Sequence, residues 1–546
     1  MHQVRRTGLV LIAGLALTTC GKAPACERCD TLVIAVTGEP SSVFPPLVGE
    51  TVGRDIGDQV YERLADLASG AAPIDLTAYR PGLAARWERV DSLTWRFHLR
   101  PGARWQDGRP VTAADVRFSF EAFADSLLDT AARPNLADII SVTAEDSATV
   151  QIRFGHPSAE QLYDATYHVR ILPAHLWRDV PREQWGADTS TARLIGSGPY
   201  RVAGWVRGQS LSLVADSTSE RRARIGRVIW RFAEDPDAAL NLVLAHEAVL
   251  MESLGSPERV ARVVADSQFR TVVVPSAAYG FLGYRLGGGS GSGDGSGGSM
   301  TRPYGIHAIA DRGVRRALNM MVDRPTIATA IFGPGTQAPP GPMSHLLWIW
   351  DDAIRVLPYD TAAAGHTLDS LGWRRGADGM RRKARTPLGF DILVPATSTS
   401  RRKMAEVLQE NWRQGGVAVT VTAVDFPVFQ ERLAKRKFDT YIGAWLDEPS
   451  PRGLAEQWTA AGRAALNYGD YVSPVFDSLF ARAAGTADLA AARPRWREAM
   501  DSLNADAPAL FLYNPAQTAA VSRRLEGFVV NPYSWLSDLP TWTIKP

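Results

Sequence analysis

Two cysteines near the N-terminus, Cys26 and Cys29, have the CxxC spacing that serves redox, metal or disulfide chemistry. A redox role requires a βαβ context, whereas this pair precedes the first predicted strand. A structural zinc site requires two further ligands, and none lies nearby. Haem attachment requires a histidine directly after the second cysteine, where Asp30 stands. We therefore expect a small structural disulfide between Cys26 and Cys29.

The third cysteine, Cys20, closes a segment typical of protein export. Arg5-Arg6 forms a positive start, and Gly8 to Leu17 is an apolar run too short to span a bilayer. Leu17-Thr18-Thr19-Cys20 resembles a bacterial lipobox, although the threonine before the cysteine usually is Gly, Ala or Ser. We expect residues 1–19 to be a signal peptide and Cys20 to be lipidated. The alternative is cleavage nearby without a lipid.

Elsewhere the chain lacks the spacings that catalytic and metal sites need. The nine histidines are scattered, without an HExxH or HxH pattern. No GxSxG elbow, P-loop or dinucleotide fingerprint stands between a strand and a helix. The pair Asp351-Asp352 is typical of solvated or helix-capping carboxylates. We expect no catalytic activity, no cofactor and no bound metal.

Length and charge narrow the class of protein further. The chain has 546 residues and a formal net charge of +2, which indicates neither a nucleic acid nor a strongly acidic partner. After removal of a signal peptide it is still too long for one hydrophobic core, so at least two lobes are expected. Beyond the leader, no stretch has the length and apolarity of a spanning helix.

Local patterns predict several elements. Thr31 to Val36 is a buried type of strand, and Asp55 to Leu67 has a helical pattern. Phe390 to Val394, Arg402 to Trp412 and Val417 to Val424 predict strand, helix and strand, an order typical of an α/β lobe.

The densest pattern lies between Pro81 and Phe123. An alternating strand, Leu93 to Leu99, has one apolar face, and the turn dipeptides Pro101-Gly102 and Asp107-Gly108 follow it. Thr112-Ala113-Ala114-Asp115 then predicts a capping box at the start of a helix. The apolar face of that helix is formed by Val116, Phe120 and Phe123.

This order of strand, turn, strand, turn and capped helix resembles the signature block of the family 5 extracellular solute-binding proteins. These are the peptide, nickel and oligosaccharide receptors of ABC importers. Other segments also resemble the family: Gly196 to Tyr200 (GSGPY), Asp311 to Leu318 (DRGVRRAL) and the strand Pro508 to Tyr513. The resemblance covers nearly the whole mature chain.

The resemblance implies an α/β fold of the type-II periplasmic-binding-protein kind, with two lobes, three subdomains, a hinge and an interlobe cleft. The expected units are a signal peptide at 1–19, a lipid anchor and tether at 20–30, the first part of lobe I at 31–284 with a subdomain near 54–190, a flexible Gly/Ser insertion at 285–300, lobe II at 301–504, and the C-terminal return to lobe I at 505–546.

The resemblance further implies that the ligand lies in the cleft, against six candidate residues. These are Trp445, Asp447, Tyr279, Phe281, Glu39 and Phe44. An indole offers an apolar face and a donor, and a carboxylate accepts from a ligand ammonium group. The alternative is that Trp445 belongs to the core and Asp447 only turns the chain. Peptide-binding relatives have a longer run before the next proline, and oligopeptide receptors have an arginine where this chain has Ile442.

The expected function is the capture of a peptide or similar solute and its delivery to an ABC permease in the inner membrane. The expected form is a monomer, lipid-anchored in the periplasm or on the outer face of the cell membrane, without a nucleic-acid partner. Two alternatives stay open: a sensory receptor for a membrane signalling partner, and a receptor for an oligosaccharide or a metal chelate. A secreted hydrolase on this scaffold would need a catalytic set that the sequence lacks.

Overall fold

The computed structural model describes residues 30–545 apart from 129, 131, 188–189 and 288–305. The signal peptide, Cys20, Cys26 and Cys29 lie outside the described residues, as does most of the Gly/Ser insertion. Within the described chain, two large sheets dominate, one of seven strands and one of five. We use lobe I for the part built on the seven-stranded sheet and lobe II for the part built on the five-stranded sheet.

The sheet of lobe I is mixed. Its apolar strand Thr31–Thr37 pairs in parallel with Arg227–Ala233 and with Leu250–Met251, and its outer strands are antiparallel. The strand from Thr31 is confirmed, because alternate side chains such as Ile34 are fully buried. In spatial order the strands are Phe269–Pro275, Ala516–Ser522, Leu250–Met251, Thr31–Thr37, Arg227–Ala233, Ser210–Ala215 and Tyr200–Val206.

Lobe II contains the predicted strand, helix, strand order. Gly389–Pro395 and Ala418–Val424 pair in parallel, with the helix Thr399–Gln414 between them in the chain. In spatial order the strands of this sheet are Ala418–Val424, Gly389–Pro395, Thr440–Leu446, Ala278–Tyr284 and Ala509–Tyr513.

The chain passes between the lobes at two places. Phe269–Pro275 belongs to the first sheet and Ala278–Tyr284 to the second, so the outward crossing falls at residues 276–277. Ala509–Tyr513 still pairs in the second sheet, and Ala516–Ser522 pairs in the first, so the return falls at residues 514–515. The family resemblance predicts these boundaries at 284/285 and 504/505. We propose the two crossings as the boundaries, because backbone pairing marks the lobe to which each strand belongs.

The block between Pro81 and Phe123 forms a unit on lobe I. Its antiparallel sheet has the order Ala84–Asp91, Thr94–Leu99, Thr149–Phe154 and Ile139–Ala144. The helix Ala113–Ala124 packs on this sheet, and the predicted capping box is confirmed. The Asp115 carboxylate accepts from the Thr112 N–H at 2.8 Å and from the Ala174 N–H at 3.0 Å, so it also ties the helix to the next segment.

The glycine-rich segment fixes the end of the first helix. The Gly198 N–H donates to the Val60 carbonyl at 2.8 Å, and a Cβ placed on Gly196 would lie 1.8 Å from that oxygen. Only glycine permits this approach. The helix ends at Val60 rather than continuing to Leu67 as the sequence predicted.

The α-helices of the described residues are Thr51–Val60, Ala113–Ala124, Gln161–Thr166, Ala174–Trp177, Pro236–Leu244, Pro257–Val264, Ile306–Ala310, Arg312–Met320, Arg324–Phe332, Thr361–Ser370, Thr399–Gln414, Phe426–Ala434, Leu454–Trp458, Pro474–Ala484 and Leu489–Asp506. Smaller sheets pair Ala65–Leu67 with Tyr79–Pro81, Arg374–Arg375 with Arg381–Lys383 and Thr386–Pro387, and Leu525–Glu526 with Thr543–Ile544. Within the described chain, none of these helices combines the length and apolar composition that a membrane span needs.

Candidate functional site

A cavity of about 320 Å³ lies between the lobes. This volume is in the range of sites that enclose small organic ligands. Lobe II and the first crossing contribute Ala277, Leu446, Asp447 and Glu448. Lobe I contributes Pro45, Pro46, Val48, Gly49, Arg54, Gly57, Asp58, Phe123, Thr130, Ala132, Tyr167, His168, Arg170, Pro532 and Tyr533.

The lobe II wall is the short run Leu446–Glu448 at the end of the strand Thr440–Leu446. The Asp447 N–H donates to the Ala277 carbonyl at 2.7 Å, and its carboxylate accepts from the Ser344 N–H. These bonds fix the run against the first crossing. Leu446 is 70% exposed, so the wall presents a large apolar side chain beside two carboxylates.

The wall carboxylates are held in an environment that disfavours their charge. Burial raises the pKa of Asp447 to about 7, although the Ser344 N–H favours the ionised form. Desolvation by the surrounding protein also raises the pKa of Glu448. Arg54 and Arg170 of lobe I oppose this effect. A cationic group of a ligand would favour the ionised form of both carboxylates.

The opposite wall contains a buried ion-pair network. The Asp58 carboxylate accepts from Arg170 Nε at 2.8 Å, from Arg63 at 3.2 Å and from Ser534 Oγ at 3.0 Å. Burial disfavours the carboxylate, but the two arginines outweigh burial and lower the pKa of Asp58. Arg63 and Arg170 are therefore already occupied by Asp58.

Arg54 differs from these two arginines. It lies near the start of the helix Thr51–Val60, lines the cavity and is exposed. Across the part of the chain that the structure describes, its guanidinium has no hydrogen-bond or ion-pair partner. It is therefore a cation available to an anionic group of a ligand.

His168 lines the lobe I side as a neutral ring. Its imidazole lies edge-on to Tyr163 and Tyr167, with ring centroids 5.1 and 5.3 Å away. Burial, together with the nearby arginines, lowers the pKa of His168 to about 3. It therefore contributes polarity without charge at neutral pH.

Two further chambers adjoin this cavity. One of about 440 Å³ shares Asp58, Tyr167 and Tyr533 with the first cavity, and Arg80 also lines it. The other, of about 260 Å³, shares Leu446–Glu448 with the first cavity, reaches Gln457 on lobe II and is also lined by Pro134 and Asn135 of lobe I. Because these lining residues are shared, the three chambers form one extended cleft. Tyr167 and Tyr533 separate the first chamber from the second, and Leu446–Glu448 separates the first from the third.

Of the six candidate residues, Asp447 lies in the cavity wall. Trp445, two residues earlier, is half-buried and stacks on Tyr468, with ring centroids 6.2 Å apart. It packs against the core of lobe II rather than lining the cavity. Its role as a ligand contact stays a prediction.

Tyr279 and Phe281 are fully buried in that same core. The Tyr279 hydroxyl donates to Gln457 and accepts from Trp458 Nε1 at 3.1 Å. Phe281 lies edge-on to Trp458, with ring centroids 5.2 Å apart. Both side chains thus belong to the core of lobe II that packs beneath Gln457 and Trp458.

Glu39 and Phe44 lie on lobe I. The Glu39 carboxylate accepts from Trp205 Nε1 at 2.6 Å and from the Gly208 N–H at 2.7 Å. Partial burial would raise its pKa, but these bonds and Arg207 lower it. Phe44 is buried and stacks on Trp177 at 4.2 Å. Both have structural partners within lobe I.

Several cavity residues had no sequence signal of their own. Leu446 and Glu448 flank a candidate residue, so the strand end could have indicated them. Arg54 and His168 face the cavity only because of the fold. Among the described residues, no group of three or more His, Cys, Asp or Glu side chains lies close enough to hold a metal ion.

Comparisons with known proteins agree on one family. The model of the bacterial extracellular solute-binding proteins, family 5 Middle, matches residues 78–465. The dipeptide-binding protein of Escherichia coli (strain K12) is 23% identical over 563 residues, with 97% of each chain covered.

Solved structures show the same fold. The oligopeptide-binding protein AppA from Bacillus subtilis, in complex with a nonapeptide, gives a TM-score of 0.73 at 21% identity, over 94% of this chain and 99% of that one. NikZ from Campylobacter jejuni, in complex with Ni(L-His), gives 0.73 at 23% identity with the same coverage.

Proposed function

This chain belongs to the bacterial extracellular solute-binding proteins of family 5, and we propose that its solute is a peptide. The peptide would bind between the lobes, and the closed protein would deliver it to an ABC importer. Binding would shift an equilibrium between open and closed lobes, because ligand contacts from both walls exist only when the lobes are together.

The observation that carries this proposal is the opposite charge of the two walls. Asp447 and Glu448 suit an ammonium group, and Arg54 suits a carboxylate. A peptide has both groups at its ends. Leu446 offers an apolar contact for a side chain between them. The names of the dipeptide-binding and oligopeptide-binding relatives support the same ligand class.

Calorimetry on protein refolded after removal of carried-over ligand tests the ligand class. The panel contains leucyl-alanine, its N-acetyl and C-amide derivatives, a maltodextrin, and the nickel–histidine chelate. We expect binding of leucyl-alanine, with weaker binding of both blocked forms because each has lost one end charge. Binding of the sugar or the chelate without any peptide would overturn the assignment.

Delivery to a permease has its own test. Proteoliposomes that contain the candidate permease and ATPase should hydrolyse ATP faster when the loaded protein is added than when the ligand-free protein is added. A loaded protein that instead stimulates only a membrane kinase would replace transport with sensing.

We also propose that residues 1–19 direct export and that Cys20 carries the lipid anchor, with Cys26 and Cys29 paired in the tether. The lipobox pattern and the CxxC spacing support these assignments. Mass spectrometry of the mature N-terminus measures both, as a diacylglyceryl adduct at Cys20 and a loss of two hydrogen atoms at the cysteine pair. Size-exclusion chromatography with light scattering should give a monomer.

A further inference from the structure

A second set of charged contacts crosses the cleft beside the cavity. Arg452 of lobe II donates from Nε to a Glu160 oxygen at 2.6 Å and from a terminal nitrogen to an Asp164 oxygen at 2.5 Å. Ser450 Oγ donates to Glu160 at 2.5 Å. We call this group, Glu160, Asp164, Ser450 and Arg452, the cross-cleft latch. Its two acids lie at the helix Gln161–Thr166 of lobe I, and its donors follow the lobe II strand Thr440–Leu446.

The acids of the latch are more deeply buried than their partner. The side chains of Glu160 and Asp164 are 3% and 5% exposed, whereas Arg452 is 33% exposed. Burial raises the pKa of Asp164 to about 7 and also raises the pKa of Glu160, while Arg452 opposes both shifts. In this structure Arg452 is the ion-pair partner of both carboxylates within the described chain. Without it, lobe closure would bury two unpaired acids.

Apolar contacts show that the same part of lobe I meets lobe II closely. Ala72 and Ile74 belong to a loop of lobe I, yet they are buried in the apolar core of lobe II. The latch therefore lies on a real contact between the lobes rather than in open solvent. When the lobes separate, Glu160 and Asp164 gain water, so loss of Arg452 penalises the closed form selectively.

The two lobe II members of the latch, Ser450 and Arg452, belong to the same short loop as the cavity wall. Leu446–Glu448 forms the wall, and Pro449 connects it to Ser450. Ser450 Oγ accepts from the Arg452 N–H at 3.2 Å, and Pro451–Gly453 is a single turn of helix. The loop is thus anchored at its start by Ala277 and Ser344 and at its end by lobe I.

We propose that Arg452 is a positioning residue that holds the wall Leu446–Glu448 against lobe I and so sets ligand affinity through lobe closure. This inference rests on the proposed solute-binding function. Arg452 need not touch the ligand, because its contribution is the stability of the closed form, in which both walls reach the ligand.

The test compares Arg452→Met with Arg355→Met. Arg355 also pairs with an acid, Asp501, at 2.8 Å, but both partners lie on lobe II. For each protein, calorimetry gives the dissociation constant for leucyl-alanine, and small-angle X-ray scattering gives the radius of gyration without ligand and at saturation. We expect Arg452→Met to bind at least about tenfold more weakly and to have a larger ligand-free radius than the wild type, with Arg355→Met unchanged.

Further variants separate positioning from general destabilisation. Arg452→Lys should recover part of the affinity, since an ammonium group can pair with one acid. The double variant Glu160→Gln with Asp164→Asn should weaken leucyl-alanine binding less than Arg452→Met does, because the arginine left behind is partly exposed. If Arg452→Met fails to fold, as judged by circular dichroism, this double variant and Arg452→Lys decide the question.

The proposed role of Arg452 would be overturned if Arg452→Met kept the affinity and the ligand-free radius of gyration of the wild type. It would also be overturned if Arg355→Met lost as much affinity as Arg452→Met. If the wild type does not bind leucyl-alanine or any other panel peptide, the peptide assignment fails instead. The ligand-free radii of the wild type and of Arg452→Met then decide the latch on their own.

Discussion

Two groups of charged side chains lie at the same cleft, and they differ in whether their charges are paired. In the cross-cleft latch, Arg452 lies within 2.6 Å of both Glu160 and Asp164, so the charges satisfy one another. In the cavity, Asp447 and Glu448 face Arg54 across open volume, and these three make no ion pair with one another. The contrast indicates that the latch stabilises closure and that the cavity leaves its charges for a ligand.

The comparison extends to the wall of lobe I. Asp58 engages two arginines, and its pKa is lowered, whereas the pKa of Asp447 is raised to about 7. One aspartate therefore contributes to stability in the ligand-free protein, while the other is destabilised there and gains most from a cationic ligand. Substitution by asparagine should therefore destabilise the protein at Asp58 and should not destabilise it at Asp447.

The largest expected effect is on Asp58. Asp58→Asn leaves the largely buried cations Arg63 and Arg170 without their carboxylate, so the free energy of unfolding should fall by about 3–5 kcal/mol. Urea denaturation followed by tryptophan fluorescence measures the change. The matched control is Asp66→Asn, whose ion pair with Arg63 is longer, at 3.5 Å, and more exposed. The control should lose less than about 1 kcal/mol, and equal losses would remove the distinction between the two aspartates.

Asp447→Asn should weaken binding of leucyl-alanine by about 2–3 kcal/mol, or roughly thirtyfold or more, because the ligand ammonium loses a charged acceptor. The same variant should leave the ligand-free protein as stable as the wild type or more stable at pH 8, since no charge is buried. Calorimetry and thermal melting measure the two effects. A variant that loses stability and affinity together would contradict a binding role and indicate a structural one.

Arg54→Met should weaken leucyl-alanine binding by about tenfold and leave binding of the C-amide derivative unchanged. The comparison of the two ligands isolates the contact with the carboxylate. Arg80→Met, in the chamber behind Tyr533, is the control and should change neither affinity. If Arg54→Met weakens both ligands equally, Arg54 acts on the cavity as a whole and not on the carboxylate.

The smallest expected effect is that of pH on affinity. Because the ligand-free pKa of Asp447 is about 7, ionisation rises from roughly a tenth at pH 6 to roughly nine-tenths at pH 8. Affinity for a free-amine peptide should rise several-fold over this range, until the ligand amine itself loses its proton. Stability of the ligand-free protein changes in the opposite sense: the contribution of Asp447 is fully present below pH 4 and is lost as the pH rises towards 7.

Comparison with Asp447→Asn separates the effect of Asp447 from that of the other acids whose pKa is raised. The difference in affinity between the wild type and Asp447→Asn should increase from pH 6 to pH 8. A difference that does not vary with pH would assign the rise to Glu448 or to the latch acids.

The sequence predicted the parts of the fold that depend on neighbouring residues. The strand from Thr31, the capping box of Thr112 and Asp115, and the strand, helix, strand order of lobe II are confirmed. Periodicity and capping chemistry act within a few residues of one another, so a short window of sequence contains them.

The end of the first helix depends on hydrogen bonds to residues farther along the chain. The pattern predicted a helix to Leu67, but the helix ends at Val60. The Leu83 N–H binds the Arg63 carbonyl at 2.9 Å, and Ala65–Leu67 joins a small sheet with Tyr79–Pro81. These partners take the backbone groups that a longer helix would have used.

For the cleft, sequence by itself determined that Asp447 is a candidate residue with Leu446 and Glu448 beside it, and that the chain has the motifs of a solute-binding family. Only the tertiary structure decided that Tyr279 and Phe281 are buried in a core and that Arg452 meets acids about 290 positions earlier in the chain. It also decided that Arg54 has no hydrogen-bond or ion-pair partner among the residues that the structure describes. A sequence pattern shows which face of an element is apolar. It does not show which distant side chain will neutralise a charge, because that depends on how the two lobes come together.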